Sequence, residues 1–347
     1  MHHRRLIAVG LAGALVVGAA AAAGAAPPKK RARAAASYIA SKQKPSGAIP
    51  AFSKIGSTAD AVLAFVAARQ GRRPMNRALD YLAKQVRNPG SADERVDAVG
   101  EMAKVVLAAA AGGRNPRSFG TRNLVTEIRG TQLQSGRYGR DTAVFDHALA
   151  MLALRSAHAA DRDGPARRAA RWLKDAQCSD GGWQYDKPPG PKDDPNCSTG
   201  AEDDFFTTDT NTSSYAFQAL RYRRKRLNYN ALRFFTRARD GARRGWGYTP
   251  GSLTDANSTG LVLQAFASSN QATPDGSKKA LRRLQYRLCG KSGGAFAFTW
   301  EAKSGGGYRR SGRDLGATIG AIPGLMGRSL PLRPVSVTKG VPQRKAC

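Results

Sequence analysis

The chain has 347 residues and carries 56 Lys and Arg against 25 Asp and Glu, a formal charge of +31. That length suits one large closed fold with a sizeable core, and the charge favours nonspecific attraction to polyanions such as acidic cell-wall polymers. The basic residues are spread over helical faces with few interleaved aromatics, which argues against a nucleic-acid binder. Met1-His2-His3-Arg4-Arg5 and the small, apolar run from Leu6 to Ala23 read as a signal peptide over residues 1–25, cleaved after Ala23-Gly24-Ala25. The run is near membrane-spanning length, so a retained anchor is the alternative, and Arg4-Arg5 leaves twin-arginine export open. Residues 26–33 read as a basic linker, and no later stretch is apolar enough to span a membrane. The expected location is extracellular or cell-wall associated.

From residue 34 to residue 328 one pattern recurs six times: a helix, a glycine-bearing turn, and a second helix opened by a polar residue. The first helices read ARAAASYIASKQ, NRALDYLAKQV, NLVTEIRGTQ, ARRAARWLKDAQ, NALRFFTRAR and KKALRRLQYRL. Ser57, Asp141, Asp209, Asp255 and Asp314 are expected to cap second helices by accepting an N–H that has no partner within the helix. Apolar residues follow at helical spacing, as in Val144, Ala148, Met151 and Leu152. Six hairpins with small residues on the second helices most simply close into an all-α α/α toroid, an (α/α)6 barrel with the second helices inside. An open superhelix is the alternative. Residues 329–347 form a C-terminal tail.

All four cysteines follow residue 177, and an even count in an exported chain implies two disulfides. Three pairings are open. Cys178 and Cys197 flank one long loop, and pairing them leaves Cys289 for Cys347, which would pin the tail.

In the fourth unit, Trp172-Leu173 and Gln177-x-x-x-Gly181-x-Trp183 resemble the repeat motif of squalene cyclases and related terpenoid cyclases. The wider chain is similar to the prenyltransferase and squalene-oxidase repeat superfamily. The resemblance implies that Gln177, Gly181 and Trp183, with Trp246 of the fifth unit, brace neighbouring helices. Their chemistry agrees: indole offers a large apolar face with one donor, a carboxamide can satisfy helix ends, and glycine permits a tight turn. Cation-initiating cyclases use Asp-x-Asp-Asp, and the nearest match, Ala201-Glu202-Asp203-Asp204, lacks the first aspartate. Zinc ligands of the protein prenyltransferases have no counterpart, since the histidines are His2, His3, His147 and His158 and the cysteines fit disulfides. His147 reads as a helix residue facing polar neighbours.

Asn257-Ser258-Thr259-Gly260-Leu261-Val262-Leu263-Gln264-Ala265-Phe266, with the Asp-Thr helix starts at Asp141 and Asp209, resembles the inner-helix signature of the cobalamin carriers of the intrinsic factor and transcobalamin group. That likeness implies ligand-facing roles for Asp141, Asp209, Asn257 and Gln264, although capping alone also explains the aspartates. Between Asp186 and Asp209 lie seven carboxylates, including Glu202, Asp203 and Asp204, against Lys187 and Lys192. The plain reading is a solvated loop closed by a disulfide. Placed over the toroid mouth, the same carboxylates could hold calcium at Asp203 and Asp204, or a protonated and an ionised carboxyl could hydrolyse a glycosidic bond. The leading expectation is noncatalytic binding of a small or polymeric ligand in the central cavity. A terpenoid-cyclase-like enzyme and a carbohydrate-active enzyme using residues 186–209 are the alternatives.

Overall fold

The computed structural model describes residues 26–139, 143–158, 164–187, 197, 207–221, 227–290 and 293–340. Among them twelve α-helices alternate between an outer and an inner position. The outer helices are α1 (Pro28–Lys42), α3 (Arg72–Arg87), α5 (Leu124–Gly130), α7 (Gly164–Asp175), α9 (Ala231–Arg237) and α11 (Ser277–Leu284). The inner helices are α2 (Lys54–Ala68), α4 (Val99–Ala111), α6 (Val144–Ser156), α8 (Thr210–Arg221), α10 (Ala256–Ser268) and α12 (Leu315–Leu325). Each inner helix packs on the next, and α12 packs back on α2, so the ring closes and the chain is an α/α toroid.

The two layers differ because their surroundings differ. An outer helix buries one stripe: α3 hides Met75, Ala78, Leu79, Leu82 and Val86 and leaves its basic residues in water. An inner helix meets protein on nearly every side, so α2 is buried almost throughout from Ile55 to Ala68. Glycine sets the closest approach in this layer. A Cβ at Gly324 would lie 2.1 Å from the Gly260 carbonyl oxygen, so α10 and α12 touch backbone to backbone.

One hydrogen-bond pattern joins unit to unit. Gln43 Nε2 donates to Gly47 O (2.9 Å) at its own turn and to Pro74 O (2.8 Å) in the next outer helix. Gln132 bonds Gly136 O and Pro165 O in the same way, and Gln177 bonds Gly181 O and Tyr229 O, both at 3.0 Å. Gln285 bonds Gly294 O (2.9 Å) and Arg31 O (3.1 Å), tying the sixth unit to the first. Units two and five use arginine instead: Arg122 reaches Val96 O, and Arg239 donates to Arg244 O and Asp275 O. The turn glycine must be glycine here. Gly181 has φ +95°, and a Cβ would sit 2.6 Å from Asn230 O.

A second bond ties each of five turns to its inner helix. The backbone N–H groups of Ile49, Trp183, Trp246 and Phe296 donate to the hydroxyls of Thr58, Ser213, Thr259 and Thr318. His147 takes that place in the third unit: its Nδ1 accepts from Tyr138 N and its Nε2 bonds Ala169 O. Trp183 and Trp246 are wholly buried, and their indole N–H groups donate to Leu173 O (2.8 Å) and Phe235 O (2.6 Å).

Two sequence expectations change. Ser57 does not cap α2. The helix starts a turn earlier, with Ser53 Oγ accepting from Gly56 N, and Ser57 Oγ accepts from Phe52 N and Ser53 N instead. Residues 28–33 are not a linker, because α1 already includes them and buries Ala32. The C-terminal tail is bonded to the ring. Leu330 N donates to Gln218 Oε1 at the C-terminal end of α8, and Thr338 pairs with Gln70 at the end of α2. Arg72 N and Arg73 N donate to Thr338 O and Lys339 O. The segment from α12 to residue 340 thus crosses the end of the ring where the inner helices finish.

Short antiparallel pairs decorate the other end. β1 (Trp183–Gln184) pairs with β2 (Thr208–Asp209), β3 (Phe296–Ala297) with β6 (Arg313–Asp314), and β4 (Trp300–Ala302) with β5 (Tyr308–Arg310). Cys178 and Cys197 form a disulfide. Cys289 is also disulfide-bonded, and its expected partner Cys347 lies outside the described residues. The signal region 1–25 lies outside them too. No described helix is long and apolar enough to cross a membrane.

Two tests follow from these contacts. Trp183→Ala should cost roughly 3–5 kcal/mol in urea unfolding, through lost burial. Gln285→Ala orphans two buried carbonyls and should cost about 1–3 kcal/mol, with faster amide exchange concentrated in α1, the helix that closes the ring. The caps Asp209 and Asp255 are buried, and burial pushes both carboxyls up to about 7. An unfolded aspartate titrates near 3.9. Between about pH 4 and 7 the native state therefore holds protons that the unfolded chain has lost, and stability falls as pH rises through that window. Asp209→Asn with Asp255→Asn keeps the accepting oxygens and cannot ionise. Its melting temperature should fall less than the parent's between pH 4 and pH 7.

Candidate functional site

Inside the ring is a cavity of about 190 Å³, lined from all six inner helices. Near the opening stand Phe52, Ser57, Phe145, Asn211, Asn257 and Gly316. Their places follow from the helix starts: Asn211 and Asn257 are the second residues of α8 and α10. A turn deeper come Asp60, Lys104, Tyr215 and Leu261, and the floor is Leu63, Gln264, Pro323 and Leu330. The tail therefore supplies part of the floor.

The cavity is amphipathic. Lys104 Nζ donates to Asp60 Oδ2 at 2.7 Å, joining α4 to α2. Across the ring, burial and then the Asp60 charge push the Tyr215 phenol upward, so it stays protonated and can donate. Phe145 meets Tyr215 edge-on at 5.0 Å and Tyr185 at 5.8 Å. Asn211 Oδ1 is buried and has no hydrogen-bond partner among the described residues. A ligand that donates O–H or N–H would satisfy it.

Beside the mouth, between the second and third units, a groove of about 510 Å³ is lined by Asp97, Thr131, Gln132, Tyr138 and Asp146 among others. Glu101 lies one turn before Lys104 on α4, within electrostatic reach of Asp97 and Asp146, two of the groove residues. Burial first, and then the charges of Asp97 and Asp146, raise the Glu101 carboxyl above its ordinary range. Asp146 packs on the backbone at Gly100, where a Cβ would lie 2.1 Å from its Oδ1. Among the described residues no cluster of three or more His, Cys, Asp or Glu could hold a metal ion.

The sequence-derived candidates fall into three groups. Asn257 and Gln264 line the cavity. Asp209 does not: its Oδ1 accepts from Thr212 N at 2.6 Å, and its carboxyl is shut away at the start of α8. Asp141, Glu202, Asp203 and Asp204 lie outside the described residues, and with them the calcium site expected at Asp203 and Asp204. The root of their insert is visible, since Tyr185 O accepts from Val144 N and Asp186 bridges Ala143 at the start of α6. Sequence reasoning missed Asp60, Lys104, Glu101, Asp146 and Tyr215. The available signal was helical phase: Asp60 stands three residues after Ser57, on the face that turns inward.

No protein-family profile matches the chain, and no curated protein matches its sequence. Solved structures do match in fold. An inactive variant of an α-1,6-mannanase of Salegentibacter sp. HEL1_6, bound to an α-1,6-mannotetraose, superposes with a TM-score of 0.57 at 14% identity, covering 87% of this chain and 98% of that one. A D-mannose isomerase matches at 0.59 and 12% identity, covering 86% and 97%. A type II terpene cyclase from Scytonema, in complex with geranylgeranyl dihydroxybenzoate, matches at 0.54 and 10%, covering 86% and 97%. At such identities the likeness concerns the fold: this chain is an α/α toroid of the architecture that those enzymes share.

Proposed function

We propose that the protein is a carbohydrate-active enzyme whose substrate enters the mouth of the toroid. The observation that carries this reading is the Glu101 carboxyl, held above its ordinary range beside Asp146 and Asp97. Glycoside chemistry needs one protonated and one ionised carboxyl. Glu101 serves as the general acid that protonates the departing glycosidic oxygen, and Asp146 as the second carboxyl. Asn211, Asn257, Gln264 and the Asp60–Lys104 pair would hold sugar hydroxyls, with Phe52 and Phe145 against the ring faces. A cavity of about 190 Å³ is below the roughly 300–1,000 Å³ usual for small-molecule sites. It suits a single sugar unit, with further units in the adjoining groove, and is small for a polyprenyl chain. Two of the toroids similar in fold, the mannanase and the mannose isomerase, bear sugars in their names.

Noncatalytic ligand binding is the second reading. What favours it is the Asp60–Lys104 bond, which neutralises the acid deepest in the cavity and leaves a wall suited to holding a neutral polar ligand.

The test is reducing-end release and isomer formation from α- and β-linked mannans, glucans and polyuronates. Glu101→Gln and Asp146→Asn should each lower turnover by about a hundredfold or more, with melting curves like the parent's. Because the acid must be protonated to act, activity should fall as pH rises through the Glu101 value, and that alkaline limb should move in Glu101→Gln. Full activity in both variants would overturn the assignment. Saccharide binding with no turnover would leave the noncatalytic reading.

A further inference from the structure

A second concavity lies on the outside, where the sixth unit meets the first. Its volume is about 830 Å³, and Arg31, Arg282, Arg283, Arg287, Arg309 and Arg310 line it, with Lys303. No carboxylate lines it among the described residues. The nearest is Glu301, half exposed, which takes Arg309 Nε at 3.3 Å. The crowding is felt within the cluster: burial, and then the neighbouring Arg282 charge, lower the Arg31 guanidinium from its ordinary value. Six cations with no counter-charge among the described residues, and a seventh paired only with Glu301, repel one another, and the arrangement costs stability unless an anion offsets it.

Three aromatic residues are interleaved here: Tyr286, Trp300 and Tyr308. Two of the rings are already occupied. The Arg310 and Arg313 guanidiniums lie 4.5 and 4.6 Å from the Tyr286 ring centre, and Arg243 lies 3.9 Å from that of Tyr308. Arg310 Nη1 also donates to Gln285 O at 2.6 Å, and Arg31 is held by Gln285 Oε1 and Ala26 O. Stacking and backbone bonds thus order these forks before any ligand arrives, and an ordered guanidinium fork matches a carboxylate or sulfate in two parallel bonds. Single-stranded nucleic acid needs successive free ring faces on which to stack its bases. Among the described residues here, only Trp300 of the three rings carries no guanidinium. Its half-buried indole face suits the apolar side of one sugar ring.

We propose that this groove binds an acidic polysaccharide, with its carboxylate or sulfate groups on the arginine forks and a sugar ring on Trp300. The site is separate from the central cavity and is independent of any catalysis there.

Equilibrium binding of the full chain tests it, with polygalacturonate and dextran sulfate as carboxylated and sulfated probes. Uncharged dextran and single-stranded poly(dT) are the comparisons. Arg283, Arg287 and Lys303 are exposed and hold no side-chain bond among the described residues, so Arg283→Gln/Arg287→Gln/Lys303→Gln removes three charges from the groove. Arg72→Gln/Arg73→Gln/Arg77→Gln removes three from the outer face of α3. The groove variant should bind at least one acidic probe about tenfold or more weakly, with a shallower salt dependence, and the α3 variant should bind nearly as the parent does. Arg287→Glu alone serves if the triple variant melts early. Trp300→Ala should weaken polysaccharide binding without changing the salt slope. Equal losses in the two triple variants would reduce the effect to net charge and overturn the proposal. So would an absence of binding to both acidic probes, or tighter binding of poly(dT) that the groove variant loses.

Discussion

The ring rests on a side-chain amide that serves two masters. At each glutamine brace, one Nε2 holds the carbonyl of its own turn and a carbonyl in, or just before, the next outer helix. Either bond alone would be worth about 1 kcal/mol net. Together they fix the angle between successive units, and Gln285 repeats the joint between the last unit and the first, more than 250 residues apart. The turn glycine is part of the same joint, since only a residue without Cβ lets the next helix come that close. Arginine at 122 and 239 shows that the requirement is for a donor fork of sufficient reach, with glutamine its commonest supplier here.

From that joint the functional geometry follows. All six inner helices start at one end, so their first turns crowd the mouth and their positive dipole ends converge there. Asp209, Asp255 and Asp314 offset three of them as caps. Glu101 and Asp146 sit in the first turns of α4 and α6, and the Glu101 carboxyl rises because burial and neighbouring carboxylates outweigh the dipole. Glycine contacts between α10 and α12 pull the ring tight and keep the central space small.

The six hairpins were legible because each carries its own apolar phase, and the Gln177-Gly181-Trp183 spacing marks one joint. The start of α2 was misread because Ser53 and Ser57 are both good caps, and choosing between them takes the position of Phe52. The first basic stretch looked like a linker because its Lys and Arg hide the alanine stripe at Ala32, Ala35 and Ala36 beneath them. Asp60 with Lys104, and Glu101 with Asp146, are pairs made only when separate units are set side by side. No spacing within a unit announces them. The arginine groove was missed for the same reason: Arg31 reaches the 282–310 segment only through ring closure, so the basic residues looked scattered along the chain. Five of the insert's seven acids, Asp193, Asp194, Glu202, Asp203 and Asp204, fall on residues that the structure does not describe.

The tail has a consequence for traffic. Leu330 forms part of the cavity floor, and the strand beyond it is laced to α8 and α2. Among the described residues the central space is therefore a blind well, closed at the end where the tail crosses. A polymer cannot be threaded through it; only a terminus can be lowered in. On the proposed carbohydrate reading, a product released at the bottom departs along the path by which the chain arrived, so the remaining polymer has to back out or shift before the well can empty.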